Sequence, residues 1–220
     1  MAGRSQEILD TFTRHVAEFG YDGTSFSRIA QELELSKGTI VHHFGTKDRL
    51  FAAMQERYMR RRLAEARALV DGLGSPAEQL AAVFYAVVLA HVEDRASMVA
   101  NQREVIRLAR HESMREARRL RAEYRELVIG LLEAGVRAGV FRPGDDRLRT
   151  LLVFGSVQWL WTWFDPEGES SVEEVAAAVV DVVLGGLLVD RSELTRLTDP
   201  DGPIVRRVRA CIAEPEVAAV

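Results

Sequence analysis

A chain of 220 residues, 47% hydrophobic and 28% charged, has the composition of a folded globular protein with room for one large or two modest domains. Its longest uncharged run, Thr150–Phe164, spans fifteen residues, too few to cross a membrane, and the opening MAGRSQEILD holds no apolar signal region. The single cysteine, Cys211, rules out an internal disulfide and fits a reducing cytoplasm, while the net charge of −4 would disfavour a nucleic-acid partner if it were spread evenly.

It is not spread evenly. Residues 1–62 carry ten basic and eight acidic residues, +2, and the remainder carries 19 basic and 25 acidic, −6. A mildly basic head on an acidic body suits a DNA-binding segment joined to a regulatory one.

In chain order, a first helix is expected to end and fold back near Phe19-Gly20-Tyr21. Thr24–Phe51 follows and holds both lysines of the chain, Lys37 and Lys47, among 29 Lys and Arg. Lysine is a compact ammonium on a flexible stem, suited to a point contact with phosphate. Ser25 or Thr24 can cap a helix whose Ile29, Ala30 and Leu33 recur at helical spacing, and Leu35 falls in a short connection. Ser36 is the N-cap of a second helix with Ile40, Val41 and Phe44 on its inward side, Gly45 stops it, and Thr46 caps the next. Two short helices joined by a tight turn make a helix-turn-helix, whose second helix places its N-terminal residues in the major groove.

The residue chemistry fits that use. Lys37 and Thr39 lie on the first turn of the recognition helix, and Gly38 lets its end approach the duplex closely. His42 is placed to reach a phosphate, and Lys47 opens a helix whose N-terminus already favours an anion. Ser25, Ser27 and Arg28 open the helix that crosses the DNA backbone, and Ser36 completes the set. His42-His43 suggests no metal site, because adjacent histidines on a helix diverge and no Cys, Asp or Glu is spaced to complete one.

Residues 4–51 resemble the DNA-binding domain of the tetracycline-repressor (TetR) family of bacterial transcriptional regulators. The likeness runs through Ile8, Leu9, Ala17, Phe19-Gly20-Tyr21, Thr24-Ser25, Ile29-Ala30 and Ser36-Lys37-Gly38-Thr39-Ile40, then His42-His43-Phe44, Lys47 and Leu50-Phe51. Two positions depart from it. Glu34 stands where the family carries Gly, so the turn is expected to be longer or strained. Val41 stands where the family has a phosphate-binding Tyr, so that contact is lost or passes to His42.

Beyond residue 51 the pattern predicts helices near 48–71, 76–94, 96–110, 113–139, 146–165 and 171–190, with breaks at Gly72–Pro76, His111–Ser113, Arg142–Gly144 and Pro166–Gly168. No run alternates with period two strongly enough for a sheet, so the fold class is all-α. The expected organisation is a three-helix DNA-binding domain over 1–50, a ligand-binding and dimerisation domain over 51–190, and a tail over 191–220 with a short helix at Ile204–Ala213. Arg57–Arg62 can either contact the DNA backbone or form a solvated helix face. The helices over 146–165 and 171–190 are apolar on more than one face, which asks for burial on two sides. Phe154, Trp159, Trp163, Val179 and Val183 are therefore candidates for a two-fold dimer interface. The resemblance agrees, implying a homodimer joined by a four-helix bundle and reading a palindromic operator.

Residues 118–125, the Gly135–Phe141 ending and Trp159–Gly168 are similar to a group within that family that regulates lipid and steroid catabolism and binds acyl-CoA thioesters. A small hydrophobic effector, with an acyl-CoA as the candidate class, is what this resemblance implies. Phe84, Tyr85, Met98, Arg103, Arg121 and Trp159 are the pocket candidates; residues 103–125 hold eight arginines against four glutamates, which could equally form surface ion pairs. A DNA-binding protein without a ligand stays open as an alternative. An enzyme is the third class, but no HExxH, GxSxG, P-loop or dinucleotide motif occurs, His91 and His111 have no assignable partner, and no cofactor is implied.

Overall fold

The computed structural model of the chain describes residues 2–104 and 112–214. Its helices begin with α1 (Ala2–Gly23), α2 (Phe26–Glu32), α3 (Lys37–Phe44), α4 (Lys47–Asp71), α5 (Pro76–Glu93) and α6 (Arg95–Arg103). After a short 3₁₀ turn at Glu112–Met114 come α7 (Arg115–Arg137), α8 (Asp146–Gln158), α9 (Leu160–Trp163), α10 (Val172–Leu187), α11 (Leu194–Leu197) and α12 (Pro203–Ala213). Among the described residues the only sheet-like pairing is an isolated antiparallel bridge between Phe141 and Leu188. The fold is all-α, and it divides into two compact units, Met1–Arg60 with Asp94–Arg121 and Arg61–Glu93 with Ala122–Val220. Both α4 and α7 contribute one end to each unit.

In the first unit Ile8, Phe12 and Val16 repeat every fourth residue along α1 and are fully buried. They share a core with Ile29 of α2, Ile40 of α3, Leu50 and Phe51 of α4, and Ala100 of α6. Gly20 takes φ +73° and breaks α1 near its end, where the sequence predicts that the first helix folds back.

The second unit is organised around α5. Every residue from Leu80 to Tyr85 is buried, and so are Val88–His91, so the helix is enclosed on all sides as its apolar circumference requires. It packs against α10 and α12. The α12 helix begins with Pro203 at a position where a missing N–H costs nothing, and it buries Ile204, Val205, Val208, Cys211 and Ile212 along one stripe. Arg209 on its outer face pairs with Glu93 and Glu173. The short helix expected at Ile204–Ala213 is thus present, and residues 215–220 of the tail lie outside the described residues.

Two expected helices differ from those observed. The one predicted over 146–165 is interrupted at Trp159, whose N–H turns back to Ser156 O, and it ends before Pro166, which excludes its preceding residue from helical conformation. The one predicted over 96–110 reaches a C-cap at Glu104, and its remainder lies outside the described residues. α7 stops in a Schellman turn: Gly139 at φ +71° donates to Val136 O and Val140 donates to Gly135 O, at 3.0 and 2.9 Å. Gly135 has a second reason to lack a side chain, because a Cβ there would lie 2.0 Å from the buried Phe141 ring.

Candidate nucleic-acid interface

The helix-turn-helix is built by its caps. Ser25 Oγ accepts from Arg28 N at 3.3 Å and so caps α2, while Thr24 is buried with its hydroxyl donating to Gly20 O. Ser36 Oγ accepts from Thr39 N at 3.0 Å and lies 2.9 Å from the Thr39 hydroxyl, which fixes the first turn of α3. Thr46 Oγ1 accepts from Arg49 N and starts α4. Three orphan N–H groups at three helix starts are thereby satisfied locally, without any need for DNA.

The turn between α2 and α3 has the same Schellman geometry that ends α7. Glu34 N donates to Gln31 O and Leu35 N to Ala30 O, at 3.3 and 2.8 Å. The residue at the left-handed position is Glu34, φ +54°, where α7 has Gly139; it is the one described non-glycine residue with positive φ. The turn is therefore not lengthened. It keeps its form and holds a side chain in a strained backbone region.

Seven of the nine predicted DNA-facing residues are exposed: Ser25, Ser27, Arg28, Ser36, Lys37, Gly38 and His42. Thr39 is half-buried because its hydroxyl turns to Ser36. Lys47 is half-buried as well, with Nζ 4.1 Å from the centre of the Tyr21 ring, whose hydroxyl donates to Asp48. His43 is tied through Nδ1 to Ser5 Oγ at 3.0 Å, which leaves His42 as the outward member of the pair. One orientation departs from expectation. Val41 is 43% exposed, not inward, because it follows the buried Ile40 by a single residue and so turns about 100° away around the helix.

The arginines of the basic cluster 57–62 are paired with carboxylates, and Arg60 among them is exposed. Arg57 pairs with Asp10 at 2.6 Å, Arg60 with Glu116 at 2.9 Å, and Arg61 and Arg62 both reach Glu65, at 3.0 and 2.8 Å. Arg62 and Glu65 are buried, which sequence spacing alone does not reveal.

The six pocket candidates separate. Met98, Arg103 and Arg121 belong to the first unit, Phe84, Tyr85 and Trp159 to the second. Arg103 is exposed and donates to Ala17 O and Glu18 O at 3.2 Å, placing a cation at a helix C-terminus instead of in a cavity. Its neighbour Glu104 accepts from Tyr21 N at 2.8 Å. Met98, Phe84 and Tyr85 are buried, and the Tyr85 hydroxyl donates to Leu197 O at 3.2 Å. Burial, helped by Asp199, pushes that phenol up to about 12. Trp159 is 66% exposed and lines no interior. Of the arginines in 103–125, Arg115 and Arg119 pair with Glu112 and Glu116, and Arg107 and Arg110 lie outside the described residues.

The dimer candidates lie along α8, α9 and α10. Trp163 is 62% exposed, and Leu148, Leu151, Leu152 and Val182 are also open large apolar side chains. With Val157, Leu160, Val175 and Val179, Trp163 and Val182 line a groove of roughly 480 Å³. Val183 contributes to that groove although nearly buried, and Phe154 turns partly inward with its ring 5.7 Å from Tyr124. Among the described residues no cluster of His, Cys, Asp or Glu could hold a metal, and no helix is long and apolar enough to cross a membrane. His91 is buried with Nδ1 3.1 Å from Val88 O, and His111 is outside the described residues.

Residues 8–54 match the family described as bacterial regulatory proteins, tetR family, and residues 73–187 match the tetracyclin repressor-like C-terminal domain. The HTH-type transcriptional repressor KstR2 of Rhodococcus jostii is 30% identical over 190 residues, 84% of this chain and 92% of the relative. The chain belongs to the tetR family of bacterial regulatory proteins. As a tetR-family protein it is a helix-turn-helix transcriptional regulator. The ketosteroid transcriptional regulator KstR2 of Mycobacterium tuberculosis superposes with a TM-score of 0.76 at 26% identity, covering 85% of this chain and 96% of that one. The same architecture recurs in AibR in complex with isovaleryl coenzyme A and operator DNA, at a TM-score of 0.75 and 23% identity over 81% and 97% of the two chains.

Proposed function

We propose that this protein is a cytoplasmic repressor that binds a palindromic operator as a homodimer and leaves it when a small hydrophobic effector binds, an acyl-CoA being the class tested first. The observation that carries the DNA reading is the first turn of α3: capped from within by Ser36, it presents Lys37 and Gly38 outward. Residues 1–50 form the reading head in this proposal. Ser25, Ser27 and Arg28 hold the backbone, Ser36–Thr39 enter the groove, and His42 and Lys47 reach phosphates. The exposed apolar stripe of α8–α10 supports the dimer, because so much open Leu, Trp and Val is costly in water unless a second subunit covers it.

The KstR2 relatives are named as repressors and as a ketosteroid regulator, which supports repression and a lipid-like effector here. AibR shares the fold at an identity that speaks only to architecture. Effector release requires differential affinity for two states of the dimer, not tight binding as such. We assign the chain no catalytic role. Selection of bound fragments from genomic DNA, followed by anisotropy titration of the recovered site with and without acyl-CoAs, tests the whole reading. A recovered inverted repeat whose affinity falls in their presence is expected. Absence of any preferred site would overturn it.

A further inference from the structure

Where α4, α6 and α7 contribute to the first unit, three polar side chains form a chain of hydrogen bonds. Arg121 Nη2 donates to Asn101 Oδ1 at 2.6 Å, and Asn101 Nδ2 donates to Gln55 Oε1 at 2.6 Å. Gln55 and Asn101 are 0% and 1% exposed. The direction of this chain is set by chemistry. Guanidinium has no acceptor, so the Asn101 oxygen must face Arg121, its amide nitrogen must face Gln55, and Gln55 must present its own oxygen in return. What is left over at both ends is therefore N–H. Gln55 Nε2 and Arg121 Nε are sealed from solvent without a hydrogen-bond partner.

Two orphan donors and one cation do not satisfy each other. Arg121 makes no ion pair among the described residues, unlike Arg115 and Arg119 on the same stretch. Burial lowers its pKa, the direction expected of a cation without a counter-charge; the phenol of Tyr58 nearby is a weak offset. Arg121 as a whole is half-buried, yet its Nε is sealed and no counter-charge faces it, so part of its desolvation cost is left without an offset. A water could accept from one donor, but it would leave the charge unbalanced. A negatively charged group with acceptor oxygens is the chemistry that answers a cation and open N–H donors.

We propose that Gln55, Asn101 and Arg121 form an anion-accepting site for the carboxylate or phosphate of the effector. This rests on the reading that the protein answers to a small effector, and it names the polar end of that ligand. Asn101 does not itself donate to the anion; it holds Arg121 and Gln55 in register, so it is a positioning residue. α6 carries Asn101 two residues before Arg103, whose guanidinium grips the end of α1. Occupancy of the site therefore bears on the helix that holds the first helix of the reading head.

The test is thermal melting of the full chain with octanoate, octanoyl-CoA, free CoA and inorganic phosphate, in the parent, Arg121→Met and Gln55→Met. At least one anion should raise the melting temperature of the parent, and each variant should bind that probe at least tenfold more weakly. Without probe, each variant leaves one buried Asn101 atom unpaired and should melt below the parent, so binding is read from the shift that each probe adds. A response to octanoate identifies a carboxylate; a response only to CoA-bearing or phosphate probes identifies a phosphate. Shifts retained in both variants would overturn this site while leaving the effector reading intact. If no probe shifts the parent, the site fails along with the effector reading on which it rests.

Discussion

Glu34→Gly should stabilise this protein. Glu34 sits at φ +54°, the left-handed position of the turn that ends α2, and its side chain is exposed with no hydrogen bond or ion pair among the described residues. An L-residue in that region costs on the order of 1–2 kcal/mol. Glycine removes the strain but gains freedom in the unfolded chain, which returns roughly 0.5–1 kcal/mol. The net expectation is a gain of about 0.5–1 kcal/mol, or roughly 1–4 °C in melting temperature for a chain of this size. Urea melting of the parent, Glu34→Gly and Glu34→Ala separates strain from charge. Alanine keeps the unfavourable φ and loses only the carboxylate, so it should melt close to the parent. If alanine stabilises as much as glycine, charge repulsion and not backbone strain is the cost, and the reasoning fails.

Other consequences can be measured directly. Gly135→Ala drives a Cβ to 2.0 Å from the Phe141 ring and should lose about 1–3 kcal/mol in denaturant melts, despite the better helix propensity of alanine. A neutral result would mean that the ring moves aside freely. Lys47→Ala should weaken binding to all DNA sequences alike and flatten the slope of log affinity against log salt by about one unit. Loss of sequence discrimination at an unchanged slope would assign Lys47 to base readout. The Tyr85 phenol has its pKa raised to about 12, whereas an unfolded tyrosine ionises near 10. Its contribution is full below pH 10 and lost as pH rises through 12, so stability should fall less steeply over that window in Tyr85→Phe. Equal slopes would remove Tyr85 from the account.

Much of the architecture is readable in the chain because it is written in short-range chemistry. Ser25, Ser36 and Thr46 each precede a helix by one residue, and each caps it. Gly139 and Pro166 end helices for reasons that operate within a few residues. Features that depend on distant partners leave no such local signal. The arginines of 57–62 find Asp10, Glu116 and Glu65, and the first two lie about fifty residues away in sequence, beyond the reach of any periodicity argument. Charge alone groups Arg103 with pocket residues, yet its partners are carbonyls of α1. Apolar character points Val41 inward, but its angular position one step past Ile40 sends it outward. The interruption at Trp159 lies within an uncharged run without Gly or Pro beside it, so no local signal marks it.

The first compact unit is discontinuous in sequence, since Met1–Arg60 is completed by Asp94–Arg121. During synthesis the reading head emerges early but cannot close its core until Ala100 and Ala117 have left the ribosome, by which time α5 is already out. Folding of the N-terminal segment is therefore delayed past the appearance of the most apolar helix of the other unit, a window in which exposed apolar surface invites chaperones or aggregation. The same order of assembly means that a fragment cut after Arg60 would lack a wall of its own core.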